Sequence, residues 1–346
     1  MSGHSDRSGA SADQRWSAAS AWVRRHVDAG HFPAAVLGIA DATGTQHLEA
    51  FGTVDDRPAT TEDRFALYSV TKPLVALTVM RAVEAGHLTV DTRLRDALPQ
   101  FLSPDVTLAH LLSHSSGIVD HALGAPLPPG AASLHDVVER AGLETIVGTA
   151  RRYNNLAWAG VSAILESATG DTLESRLAQL TSAVGADGLS FDTAGTPRVH
   201  GGEVMGHDPE AVFAQRHPAA GLAASAADLL VIGRSLLAGD GAVVAPPTLA
   251  AMQRPRTEGL FIIDPEPRKR FEHFGLGWNL PRRPGLVDHS VFGHEGWSMT
   301  QFWVSPASGL CLVLLTNRLD AREPWNPVRP DELQNAVFGA GARQAG

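Results

Sequence analysis

The stretch VFGHEGWSMTQFWVSPASGLCLVLLTN, residues 291–317, carries most of the information about the fold. VDHSVFGHEG, SMTQFWVS and GLCLVLLTN read as short strands, and SPASG as the turn between the last two. LCLVLL is apolar on both faces, which predicts a central strand covered on both sides. Just upstream, HFGLGWNL (273–280) has the same β character. Near the other end, AAVLGIADATGTQHLEAFG (34–52) reads as a hairpin, with apolar runs on either side of Asp41-Ala42-Thr43-Gly44.

Between these β regions the chain is rich in helical periodicity. Helices are expected over Ser69–Ala85, Thr107–Leu112, Ser133–Ala141, Asn155–Ala168, Thr172–Leu180 and Ser225–Leu237, with Asp171 and Ser225 as N-caps. Turn formers such as those in ALGAPLPPGAA separate them. A further helix is predicted over Gln14–Ala29, where Trp16, Ala19, Trp22, Val23, His26 and Val27 share a face and Gly30 stops it. PDELQNAVFGAGA closes the chain as a helix with Asp331 near its start. Strands at both ends with helices between imply an α+β fold: one sheet built from both termini and an inserted helical part. The expected division is a flexible tail (1–14), a sheet domain (15–72 with 240–346) and a helical domain (73–239), with a site at the seam.

Bulk properties remove several function classes. A net charge of -9 without any long Lys/Arg run argues against nucleic acid or an anionic membrane as partner. The lone Cys311 rules out an intrachain disulfide, and its apolar strand suits a small buried hydrophobe. The polar N-terminus has no apolar signal core, and no run of about 18 apolar residues exists. A soluble, cytoplasmic protein is the expectation.

The chemistry begins in FALYSVTKPLVALTVMRAVEAGHL, residues 65–88. It reads as an amphipathic helix whose first turn holds Ser69 and Lys72, three residues apart and therefore on one face. They are either a cap and a surface charge, or a nucleophile beside the amine that activates it. Two later stretches bear on the choice: Tyr153-Asn154-Asn155, just before a helix, and His294-Glu295-Gly296, leading into a β-hairpin.

S-x-x-K, Y-x-N and H-x-G in this order resemble the class C β-lactamase and penicillin-binding-protein-like serine hydrolases. LTVDTRL, LAHLLSHSSGI, AAGLAASAADLLVIG and FGLGW fit the same pattern, so the resemblance runs from about residue 15 to 340. It implies a β-lactamase/transpeptidase-like fold, with a central antiparallel sheet flanked by N- and C-terminal helices. It also implies Ser69 as the acylated nucleophile, Lys72 as its partner in proton transfer and Tyr153 as general base, its phenolate favoured by a cationic environment. Asn155 is implied to bind Lys72 and the substrate. The backbone N–H groups of Ser69 and Trp297 are implied to form an oxyanion hole, with Gly296 letting the strand approach closely.

One departure matters. The lactamases have a lysine where this chain has His294, neutral or nearly so at pH 7, as the family's esterases, D-amino-acid peptidases and acyltransferases do. The implied substrate is a small ester, thioester or amide, and an amine or alcohol acceptor would make the enzyme an acyltransferase. No cofactor is implied. A secreted lactamase fits less well, and a catalytically silent binding protein would be expected to have lost Ser69, Lys72 or Tyr153.

Other chemistries find little support. GWSMT and GVSAI lack the last glycine of a nucleophile elbow, and no phosphate-binding loop or dinucleotide fingerprint occurs. His110 and His114 are spaced for a metal on a helix, but there is no H-E-x-x-H and zinc is not expected. Pocket walls are expected in DHALGAPLPPG, GHDPEAVFAQRHP and RTEGLFIIDPEPRKRFEH. Trp297, Trp278 and Phe261 are candidates for an apolar acyl site or, equally, for the core.

Overall fold

A computed structural model describes residues 12–264, 270–319 and 328–342. The first eleven residues of the expected tail, and part of the pocket-wall segment 256–273, lie outside the described residues.

Helix α1 (Ser17–Asp28) leads into strands β1 (Ala34–Ala40), β2 (Thr45–Val54) and β3 (Arg57–Pro58). The middle contains α2 (Thr71–Glu84), α3 (Ala157–Thr169) and α4 (Ala226–Ala238) among shorter helices. Strands β4 (Glu272–Phe274), β5 (Asn279–Pro281), β6 (Phe292–Glu295), β7 (Gln301–Ser305) and β8 (Leu310–Thr316) follow, then helix α5 (Pro330–Ala342). The eight strands form one antiparallel sheet in the order β3-β2-β1-β8-β7-β6-β5-β4. The expected α+β architecture is therefore present, and the two chain ends meet where β1 pairs with β8, Val36 opposite Leu315 and Gly38 opposite Val313.

β8 is buried along its whole length because both faces are covered. Leu310, Leu312 and Leu314 pack with Trp22 and Val23 of α1 and Leu333 and Val337 of α5. Cys311, Val313 and Leu315 point the other way, into the main core with Leu229, Leu230 and Ile232 of α4. The approach of α4 is close: a Cβ on Gly233 would collide with the Cys311 side chain, and one on Gly38 would lie 2.9 Å from Leu230.

α2 differs from the amphipathic helix expected. Every residue from Thr71 to Met80 is buried, and only its C-terminal turn reaches the surface. It runs through the middle of the molecule, where the helical part closes over it, so its polar residues are interior groups that need partners. Two backbone links hold its start in place. The Leu67 N–H donates to the Leu222 carbonyl at 2.8 Å, and the Leu222 N–H donates to Thr71 Oγ1 at 3.2 Å.

Cap positions are close to expectation. Ser225 caps α4 by accepting from the Asp228 N–H, whereas helix Leu173–Val184 is capped by Thr172 rather than Asp171. Among the described residues no helix is long and apolar enough to cross a membrane.

Candidate active site

Ser69 sits in a 3-10 turn, Tyr68–Val70, just ahead of α2, and Lys72 in the first turn of α2. The turn is built on a strained residue: Tyr68 has φ +47°, a conformation that costs a bulky side chain about 1–3 kcal/mol. That cost is carried by burial, since Tyr68 is fully enclosed against Phe213 and Trp297. Ser69 is thereby presented at the edge of the core while Lys72, 0% exposed, lies within it. The surface-charge reading of Lys72 is excluded.

The Lys72 ammonium donates to three acceptors: Ser69 Oγ at 3.0 Å, Asn155 Oδ1 at 2.9 Å and the Ala219 carbonyl at 3.2 Å. Three acceptors match the three protons of a charged amine, which repays part of the cost of burying it. Tyr153 completes the group, its hydroxyl donating to Ser69 Oγ at 2.8 Å while its ring lies 4.7 Å from Lys72 Nζ. The three residues expected to carry the chemistry thus form one hydrogen-bonded cluster, with Asn155 as its fourth member.

Several residues hold Tyr153 in place. Its N–H donates to Asp264 Oδ1 at 2.7 Å, and Asp264 in turn pairs with the buried guanidinium of Arg151 at 3.2 Å. Its ring stacks on His114 at 4.4 Å, and His114 Nδ1 accepts from the Asn154 N–H at 3.1 Å. His110 Nδ1 meanwhile accepts from the Thr107 N–H. The two histidines spaced for a metal therefore serve different local hydrogen bonds.

The strand β6 brings up the third motif. Gly296 has no room for a side chain: a Cβ would collide with Thr300 Oγ1 and the Leu67 carbonyl, next door to the Ser69 turn. Its N–H donates to the Thr300 carbonyl at 2.8 Å, and Thr300 Oγ1 donates to the Leu67 carbonyl at 2.9 Å. Glycine here fixes the distance between the strand and the serine. His294 is buried, with Nδ1 2.7 Å from the Glu295 carbonyl and its ring 6.0 Å from that of Tyr153. It borders the tyrosine rather than facing open water.

Trp297 is half-buried, its ring edge-on to Tyr68 at 6.4 Å and 4.4 Å from the imidazole of His207. Burial lowers the proton affinity of His207, so it is neutral at pH 7. Leu123 and Trp297 pack on the Tyr68–Phe213 cluster, giving an apolar face beside the Ser69 turn, with the carboxylates of Glu210 and Asp208 near enough to act on Tyr68. The other two acyl-site candidates are not there. Trp278 is 0% exposed in the sheet core against Phe292, and Phe261 is 72% exposed on an outer edge. Surface shape alone is a poor guide to this site. Depressions of about 880 and 710 Å3, around Arg24 and His47 and around His110 and Leu143, contain none of the cluster.

Sequence reasoning missed the Ala219 carbonyl and Arg151, and it placed Asp120, His207 and Asp264 only as members of the three expected pocket-wall segments, without a role for any of them. A backbone carbonyl leaves no trace in a sequence. Asp264 is 111 residues from the N–H it holds. Asp120 opens the pocket-wall segment DHALGAPLPPG, where nothing in the pattern marks it as a cap for a helix 36 residues away.

Comparison with known proteins gives the family. A family model described as Beta-lactamase matches residues 19–333. The chain belongs to this family. It is 31% identical over 317 residues to "Penicillin-binding protein 4" of Amycolatopsis lactamdurans, covering 83% of this chain and 81% of that protein. To "Esterase EstB" of Burkholderia gladioli it is 28% identical over 344 residues, covering 82% and 84%. Among solved structures, "EstCE1, a hydrolase with promiscuous acyltransferase activity" superposes with a TM-score of 0.74 at 22% identity, over 95% of this chain and 100% of that one. Membership of this family makes the chain an enzyme of the serine-hydrolase type, and the likeness to EstCE1 at 22% identity bears on the fold.

Proposed function

We propose that the protein is an esterase-type acyl hydrolase in which Ser69 is acylated by a small ester, thioester or amide. The observation that carries the reading is the arrangement of Tyr153 Oη and Lys72 Nζ at 2.8 and 3.0 Å from one serine oxygen. With Lys72 charged, the tyrosine is favoured as phenolate, and the same 2.8 Å contact then accepts the serine proton. Ser69 Oγ forms its bond to the carbonyl carbon, and the carbonyl oxygen takes the negative charge. The N–H groups of Ser69 and Trp297 would stabilise that oxyanion, each such donor being worth about 3 kcal/mol. Collapse breaks the bond to the leaving group, which takes the proton from Tyr153. Water then repeats the cycle in reverse: Tyr153 removes its proton, hydroxide attacks the acyl carbon, and Ser69 leaves with the proton returned.

An alcohol or amine acceptor uses the same steps with the acyl group retained on the acceptor. The likeness to EstCE1, a hydrolase with promiscuous acyltransferase activity, favours keeping this second reading. The apolar face of Tyr68, Leu123 and Trp297, with Asp208 and Glu210 nearby, suits an uncharged acyl group better than one bearing a carboxylate, and His294 brings no fixed charge. That supports an ester-type substrate over a β-lactam.

p-Nitrophenyl acetate or butyrate provides the test, with Ser69→Ala measured in parallel. Turnover should fall to background in the variant, and a fluorophosphonate should mark Ser69 alone; undiminished turnover sinks the assignment. Adding alcohols and amines then separates transfer from hydrolysis by product partition.

A further inference from the structure

We propose that Asp120 is a positioning residue, which holds the Asn155 side of the Lys72 ammonium by capping α3 and biases Lys72 toward its charged form. This rests on the acyl-Ser69 reading above and extends it to a residue that touches neither the serine nor the tyrosine.

Asp120 Oδ1 accepts from the N–H groups of Asn155 and Leu156, both at 2.9 Å. Leu156, where α3 begins, makes no side-chain cap of its own, and a carboxylate from 36 residues upstream shares that work with Asn154, whose Oδ1 accepts from the Ala157 N–H at 2.6 Å. Negative charge at a helix start is favourable, and here it faces two otherwise unmatched donors. Asn155 stands on that capped turn and turns its Oδ1 to Lys72 Nζ at 2.9 Å. The chain of contacts therefore runs from Asp120 through the Asn155 backbone and side chain to the ammonium.

Charge reinforces the geometry. Burial pushes the Asp120 carboxyl above its ordinary value, and the Leu156 and Asn155 N–H donors and the Lys72 charge pull it back. The other groups around the ammonium are Ser69, the Tyr153 phenol and the Ala219 carbonyl. Further out are His114 and His294 on Tyr153, and His217 with its neighbour His121. Burial and Lys72 keep His217 uncharged down to about pH 3, so it adds no charge near neutrality. Asp120 is an acidic group that opposes the Lys72 charge.

The sign follows. Removing a negative charge makes Lys72 release its proton more readily and stabilises the Tyr153 phenolate, so either base becomes available at lower pH. Asp120→Asn keeps an oxygen acceptor for both N–H groups and removes only the charge. The rate of Ser69 labelling by a fluorophosphonate, followed by mass spectrometry from pH 5 to 9, should show its acidic limb moved down by roughly one pH unit. Asp120→Ala also loses the cap, and labelling at the plateau should slow by about 10- to 100-fold as Asn155 is released.

An unmoved limb in Asp120→Asn, or wild-type labelling in Asp120→Ala, overturns the proposal. A residue that merely supported the fold would lower the amount of active enzyme and leave the limb in place. If Asp120→Ala does not fold, the Asp120→Asn limb alone decides. If wild-type Ser69 is not labelled at all, the underlying reading falls and this inference with it.

Discussion

At the scale of single residues, a serine hydroxyl becomes a nucleophile only where a neighbour can take its proton, and Ser69 has two such neighbours. Tyr153 is the better placed, its oxygen 2.8 Å from Oγ and its ring held independently by stacking on His114. The Asp264 contact fixes its backbone as well, through the N–H. Replacing the hydroxyl alone therefore leaves the ring where it is. Tyr153→Phe is expected to lower kcat by about 10²–10⁴-fold, the usual worth of a positioned acid–base group, with little effect on KM. Steady-state kinetics on p-nitrophenyl butyrate measure this. An unchanged kcat would transfer the general-base role to Lys72, the other group in contact with Oγ. Lys72 itself shows why a residue pair is hard to judge from spacing. S-x-x-K fits a surface turn as well as an active site, and only complete burial with three acceptors separates the two.

At the scale of elements, the strands and most helices were legible because their apolar periods are long and their turns are marked by glycine. LCLVLL was expected to be central and covered on both sides, and β8 is buried throughout between two layers of helices. The hairpin around Asp41–Gly44 and the closing helix over 330–342 lie where their patterns put them. α2 was misjudged as amphipathic, since its exposed polar residues cluster at one end rather than along one face. How closely α4 approaches the sheet was also unreadable, because a small residue in a helical pattern looks the same whether it meets solvent or a strand. Gly233 lies against the Cys311 side chain, so Gly233→Ala must force α4 away from β8 or distort both. Overpacking of this kind costs about 1–3 kcal/mol, more than the gain in helix propensity from alanine. Urea unfolding of the variant should show a lower midpoint with the slope unchanged; a midpoint at or above wild type would mean the contact is looser than it stands.

At the scale of the whole molecule, the three motifs were separated by 84 and 141 residues of chain, yet their order was enough to bring them to one cluster in expectation. What joins them was not legible: the Ala219 carbonyl, the Asp120 cap and the Arg151–Asp264 pair matter only once the chain is folded. The same burial that makes these groups effective has a cost on the acid side, because it encloses histidines that must stay neutral. His26, enclosed among Trp22, Phe32 and His31, has its pKa lowered from 6.5 to about 4, mainly by burial. His217 is lowered to about 3 for the same reason, with Lys72 adding to it. Burial lowers His110, His200, His207 and His273 as well. In each case the unfolded chain binds a proton that the folded chain refuses. Stability from these groups is therefore fully present above pH 6.5 and is lost as pH falls toward 4, through the gap between the two values. The lowered carboxylates Asp41 and Asp63 act only below the ordinary carboxylate range. Asp120 is raised by burial and offsets the loss only where the window meets that range. The melting temperature should thus hold from pH 8 to 7 and fall steadily from pH 6.5 to 4.5. His26→Leu, which keeps an apolar group beside Trp22 and Phe32, removes one of the refused protons and should flatten that fall. A slope identical to wild type would show that His26 is protonated in the folded protein and that its burial is not what the acid side measures.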